Sequence, residues 1–146
     1  MSETEKIIDN IKNKFTQDIL NTEVKSKRRA TITIPGSALT KMADFLYSDM
    51  NFRFITASAL ESGKGFEIYY HFSNDKTGLV FNIHVVLPKN KPEIESLTCL
   101  FEAASWIERE MHEILGINFL NHPNLEKLIS EGNWAEGVYP YRKEQQ

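Results

Sequence analysis

Glu108, Arg109 and Glu110 stand in succession, with His112 and Glu113 directly behind them and His122 ten residues beyond His112. Carboxylates this close could divide general-acid and general-base work if an apolar setting separated their pKa values. Arg109 opposes that, because a neighbouring guanidinium holds carboxylates ionised. The two histidines and the acids could instead ligate a metal. There is no HExxH pair, however, and one helical histidine with a second on a loop is a weak ligand pattern. A third reading is a solvated helix face, where Glu108–His112 and Arg109–Glu113 would each contribute only about 0.3–0.5 kcal/mol. Trp106 precedes the charges and is expected on their side of the helix. Trp beside Arg is a common interface pair, since both offer large area and directed donors. The cluster is therefore read as a surface for a partner.

The other reactive side chains carry less. Cys99 is the single cysteine, so it forms no internal disulfide and holds no iron–sulfur cluster or structural zinc by itself. A place near a helix start could lower its pKa, but a buried core thiol is expected. His71 and His84 fall on strand faces opposite the apolar ones and are expected to be exposed or hydrogen-bonded. His122, before Pro123, is expected to order its loop through a ring hydrogen bond or to meet a partner. Trp134-Ala135-Glu136-Gly137-Val138-Tyr139-Pro140-Tyr141-Arg142-Lys143 is too aromatic for an ordinary disordered tail and reads as an extended arm laid across a neighbour. No phosphate loop or nucleophile–base pair is evident.

These residues need elements to position them. Ile7, Ile8, Ile11, Phe15 and Ile19 recur at steps of three and four, predicting an amphipathic helix over residues 4–20. Residues 24–29, with Lys25, Lys27, Arg28 and Arg29, read as a solvated connector. Thr31-Ile32-Thr33-Ile34 alternates and stops at Pro35-Gly36, a short strand and turn. Ser37 would cap a helix carrying Leu39, Met42, Ala43, Phe45 and Leu46. The period then becomes two, through Phe52, Phe54 and Thr56, then Phe66 to Phe72, then Leu79 to Leu87. Gly-containing turns divide these runs, predicting a three-stranded antiparallel meander with one buried face. From about Thr98 the helical period returns in Leu100, Ala104, Ile107, Met111 and Ile114, closed by Gly116. The expected class is α+β: a two-layer domain with helices packed on one face of a mainly antiparallel sheet, followed by an irregular C-terminal arm. The expected bounds are an N-terminal helix over 1–22, an α/β core over 28–119 and an extended arm over 120–146, with a helical turn over 125–130.

The bulk numbers narrow the function classes. The 146 residues suffice for one domain with a real core. A net charge of −3 gives no general attraction to nucleic acid or anionic lipid. The first residues are too charged for a signal peptide, and no apolar run approaches the roughly 20 residues of a membrane span. The chain reads as cytosolic, meeting a membrane only through another subunit.

Ser96-Leu97-Thr98, Phe101, Ala104, Trp106, Glu108-Arg109-Glu110, Glu113, Gly116-Ile117, Phe119, His122-Pro123 and Leu125 together resemble the signature of the 30-kDa subunit of respiratory complex I, the NADH dehydrogenase of the respiratory chain. Homologous subunits occur in energy-converting membrane-bound nickel–iron hydrogenases and formate hydrogenlyase-type complexes. The resemblance is detailed in the last third of the chain and compatible with the earlier elements. Leu115 and Glu126 depart from it, where family members usually carry an aromatic and an arginine. The run from Trp134 to Lys143 is closer to the hydrogenase branch, and so is an end at Gln146 without a longer extension or a fused large subunit.

The resemblance implies a cofactor-free accessory subunit, with iron–sulfur clusters and a nickel–iron centre in partner subunits. Its partners would be the catalytic large subunit and the iron–sulfur small subunit, at the cytoplasmic face of the membrane. Trp106, Glu108, Arg109, Glu110, Glu113, His122, Trp134 and Arg142 are the expected assembly contacts. The competing readings are the 30-kDa subunit of an NADH:quinone oxidoreductase, a stand-alone binding module, and a small hydrolase using Cys99 or the Glu108–Glu110 group.

Overall fold

The structure, a computed structural model, describes residues 3–123. Its elements run α1 (Glu3–Lys14), β1 (Asn21–Ser26), β2 (Arg29–Thr33), α2 (Leu39–Asp44), β3 (Arg53–Ser62), β4 (Gly65–Asn74), β5 (Leu79–Leu87), β6 (Glu93–Glu95), α3 (Ala104–Leu115) and β7 (Asn118–Leu120). Five strands form one sheet in the order β1-β2-β5-β4-β3, antiparallel except where β2 lies parallel to β5. β6 and β7 form a separate parallel pair, with Ile94 opposite Phe119, and α3 makes the crossover between them. The α+β class and the mainly antiparallel sheet are as the sequence predicts.

One face of the sheet is apolar because the period of two holds. Phe66, Ile68, Tyr70 and Phe72 of β4 and Phe81, Ile83 and Val85 of β5 are buried with Ile32. They share one core with Ile8 and Ile11 of α1, Leu39, Met42 and Ala43 of α2, and Ala104 and Met111 of α3. β3 breaks the expected phase. A bulge between Phe54 and Thr56 turns Ala57 inward in place of Thr56, since one extra residue reverses every later side chain. The β3–β4 turn depends on Gly65, whose φ is +139° and whose added Cβ would meet the Leu87 carbonyl oxygen at 2.2 Å.

Several boundaries move. α1 stops at Lys14, and just beyond it the Thr16 hydroxyl donates to the carbonyls of Lys12 and Asn13, a side-chain alternative to the helix ladder. Residues 21–26, within and before the expected connector, are an edge strand; both its faces are largely wet, so no apolar alternation marks it. Ser37 does not cap α2: it lies in a 3-10 turn, and Ala38 precedes the helix without a side-chain cap. α3 begins at Ala104, after turns in which Phe101 N–H bonds the Leu97 carbonyl and Ala104 N–H bonds that of Phe101. Gly116 ends α3 in the left-handed region at φ 78°, as expected. Among the described residues, no helix is long and apolar enough to cross a membrane.

Candidate functional site

α3 is laid on the sheet by Ala104, Glu108, Met111 and Leu115, which recur at steps of four, three and four. One position of this buried stripe is a carboxylate. Glu108 is 0% exposed and lies beneath the loop that precedes the helix. Its Oε1 accepts the Ser96 hydroxyl at 2.6 Å and its Oε2 accepts the Leu97 N–H at 2.8 Å. Ser96 Oγ in turn accepts the Thr98 N–H at 3.1 Å and pairs with Thr98 Oγ1 at 2.8 Å. His122 Nε2 donates to the Ser105 carbonyl at 3.1 Å and lies 3.9 Å from Glu108 Oε1, with both side chains buried. A single carboxylate thus joins α3, the loop before it and the turn after β7.

Burial pushes Glu108 up to about 7; the Leu97 N–H and Ser96 hydroxyl work in the opposite direction, while Glu95 adds to the rise. Burial and the nearby Glu108 charge drive Tyr70 well above the ordinary phenol value. The Tyr70 hydroxyl is buried without a hydrogen-bond partner among the described residues.

The expected contact residues therefore separate. Trp106 is 59% exposed, whereas Glu108 points to the other side of the helix, because two positions turn it by about 200°. The expectation that Trp106 and all the charges share one side is corrected accordingly. Glu108 is a buried support closed to substrate, and Glu113 is buried as well. Arg109 and Glu110, three and four residues after Trp106, are half-buried, and Arg109 Nε is enclosed without a hydrogen-bond partner among the described residues. The His122 ring orders its turn, which matches one of its two expected roles. Cys99, expected in the core, is exposed. His112 is not paired with Glu108; its Nδ1 donates to the Ile117 carbonyl at 2.9 Å and fixes the turn after Gly116. Trp134 and Arg142, with the expected arm beyond residue 123, lie outside the described residues. Among the described residues, no three His, Cys, Asp or Glu side chains converge as a metal site.

The opposite face of the sheet is a polar ladder. His71 Nδ1 donates to Asn82 Oδ1 at 2.7 Å, Ser58 Oγ lies 2.8 Å from His71 Nε2, and Asn82 Nδ2 donates to Thr31 Oγ1 at 3.2 Å. His84 stacks on Tyr69 and bridges Thr33 Oγ1 at 2.9 Å and Glu67 Oε1 at 2.8 Å. Both histidines are hydrogen-bonded, as expected. Hydrogen bonding from Ser62 first, with further help from His84, holds Glu67 below the usual carboxylate range.

Sequence reasoning missed the buried role of Glu108, its donors Ser96 and Leu97, and the nearby Tyr70 hydroxyl. A signal was present: Glu108 falls in register with Ala104, Met111 and Leu115.

Known proteins resemble this chain in sequence and fold. One subunit of the NADH-quinone oxidoreductase of Citrifermentans bemidjiense is 26% identical, over 99% of this chain and 90% of that protein. One subunit of the F(420)H(2) dehydrogenase of Methanosarcina mazei is 28% identical, over 94% of this chain and 89% of that protein. A chain in the structure of the membrane-bound sulfane sulfur reductase, an archaeal respiratory membrane complex, has the same fold, with a TM-score of 0.87 at 21% identity over 99% of this chain and 86% of its own. Residues 32–146 match the family described as "Respiratory-chain NADH dehydrogenase, 30 Kd subunit". With that match and the expected fold in place, the chain belongs to the respiratory-chain NADH dehydrogenase 30-kDa subunit family.

Proposed function

We propose that this chain is a cofactor-free accessory subunit of a membrane-bound complex I-like oxidoreductase, docking its catalytic large subunit and iron–sulfur small subunit at the cytoplasmic face. One observation carries the reading: Trp106 is largely exposed, one helical turn from a half-buried Arg109 whose Nε has no acceptor among the described residues. A large exposed aromatic beside the half-buried Arg109 suits a neighbouring chain that covers the ring and supplies a carboxylate or carbonyl to the outer guanidinium nitrogens. The NADH-quinone oxidoreductase relative supports the NADH:quinone branch, while the F(420)H(2) dehydrogenase relative supports only the wider complex I-like class. The run from Trp134 to Lys143 supports the hydrogenase branch.

Affinity purification from native membranes tests the proposal. Recovery of a large subunit and an iron–sulfur subunit is expected, with yield reduced in Trp106→Ala and Arg109→Ala while the unfolding midpoint of the free chain stays put. Nickel in the recovered large subunit selects the hydrogenase branch, and its absence the quinone branch. Recovery of the chain without redox proteins overturns the reading.

A further inference from the structure

We propose that the outer edge of β3, which pairs with no described strand, and the groove beneath it receive an extended strand from a neighbouring subunit, an inference that rests on the subunit reading above. The five-stranded sheet ends in β1 on one side and β3 on the other. An edge presents a row of unpaired N–H and C=O groups that templates another strand, and proteins blunt it with charges, prolines or register breaks. β1 is blunted in this way: Glu23 and Lys25 lie on it 3.8 Å apart, and its register breaks between Val24 and Ser26. On β3 such features stand only at the ends, Arg53 and the bulge at one and Glu61 at the other, and residues 54–60 between them carry neither charge nor proline. Ile55 and Leu60 are 42% and 46% exposed.

A groove of about 240 Å³ adjoins this strand, between β3 and α3, lined by Ala57, Ala59, Ile107, Met111 and Ile114. The two alanines make the room, since larger side chains at those positions would fill it. Among its described lining residues only Glu110 is charged.

These features define the occupant. The backbone edge calls for an extended chain, and in a strand every second side chain falls on one face. Those entering the groove are aliphatic, and a basic residue among them complements Glu110. A docked helix would fill the groove and leave the edge unpaired.

Amide hydrogen exchange at residues 56–60 tests this, measured on the full chain alone and within the assembly purified from native membranes. Strand addition slows the outward amides by at least about tenfold in the assembly only, while amides bonded to β4 are slow in both. Benzoylphenylalanine placed at Leu60 is expected to crosslink to a neighbouring subunit, and Glu110→Lys to cut that yield several-fold without lowering the chain's unfolding midpoint. Outward amides that exchange fast in the assembly overturn the inference and leave the subunit reading standing. Protection already present in the isolated chain also overturns it, because the edge would then be satisfied by the chain itself. Failure to recover any assembly is a separate outcome, which removes the subunit reading and the source of the strand together.

Discussion

Glu108 Oε2 accepts the Leu97 N–H at 2.8 Å from within the fold, so α3 holds the loop before it through a buried carboxylate. That loop carries Phe101 to the sheet, where its ring stacks on Phe54 at 5.2 Å and meets Phe72 edge-on at 5.9 Å. The buried charge and the aromatic stack position the same segment from opposite ends.

Glu108→Ala leaves the Leu97 N–H and the Ser96 hydroxyl without an acceptor in a closed space. A loss of about 2–4 kcal/mol is expected, because unsatisfied buried polar groups cost more than a lost hydrogen bond. Urea unfolding near neutral pH measures it as a lower midpoint with an unchanged slope. A wild-type midpoint would show that water reaches the site.

The same residue sets a pH dependence. Glu108 ionises near 7 in the folded chain, against an ordinary value of 4.5. Between those values the folded state holds the extra proton, so this contribution to stability is complete below 4.5 and lost as pH rises through about 7. Glu108→Gln cannot titrate. Between pH 5 and pH 8 it should gain about 2–3 kcal/mol relative to wild type. His122, Glu95 and Tyr70 face the site in both proteins, so the difference isolates Glu108. Parallel urea-stability curves across that range would show that the carboxyl titrates as an ordinary glutamate.

Gly65→Ala forces a Cβ against the Leu87 carbonyl oxygen at a φ that L-residues rarely adopt. A destabilisation of about 2–4 kcal/mol is expected. Gly63→Ala, in the same turn, meets nothing within 4 Å and should stay within about 0.5 kcal/mol of wild type. Thermal melts of the two variants side by side decide the point.

Phe101→Ala removes a ring shared by Phe54, Phe72 and Tyr47. The cavity should cost about 3–5 kcal/mol. Phe101→Leu should recover more than half of that, and urea unfolding of both variants provides the comparison.

The sequence by itself determined whatever depends on local period. The apolar alternation of β4 and β5, the helical stripe of α3 and the stop at Gly116 each follow from side-chain type and spacing, because a strand repeats every two residues and a helix every 3.6. β1 was invisible to this logic, since an edge strand with two wet faces has no apolar period. The bulge at Ile55, which puts Ala57 in the core, is a choice of register that only pairing with β4 makes. The tertiary structure also decided the meaning of Glu-Arg-Glu at 108–110. In the sequence it is one run of charge, but the helix points Glu108 into the protein and leaves Trp106, Arg109 and Glu110 nearer the surface. Only packing against the 96–98 loop supplies the donors that make a buried carboxylate tolerable there.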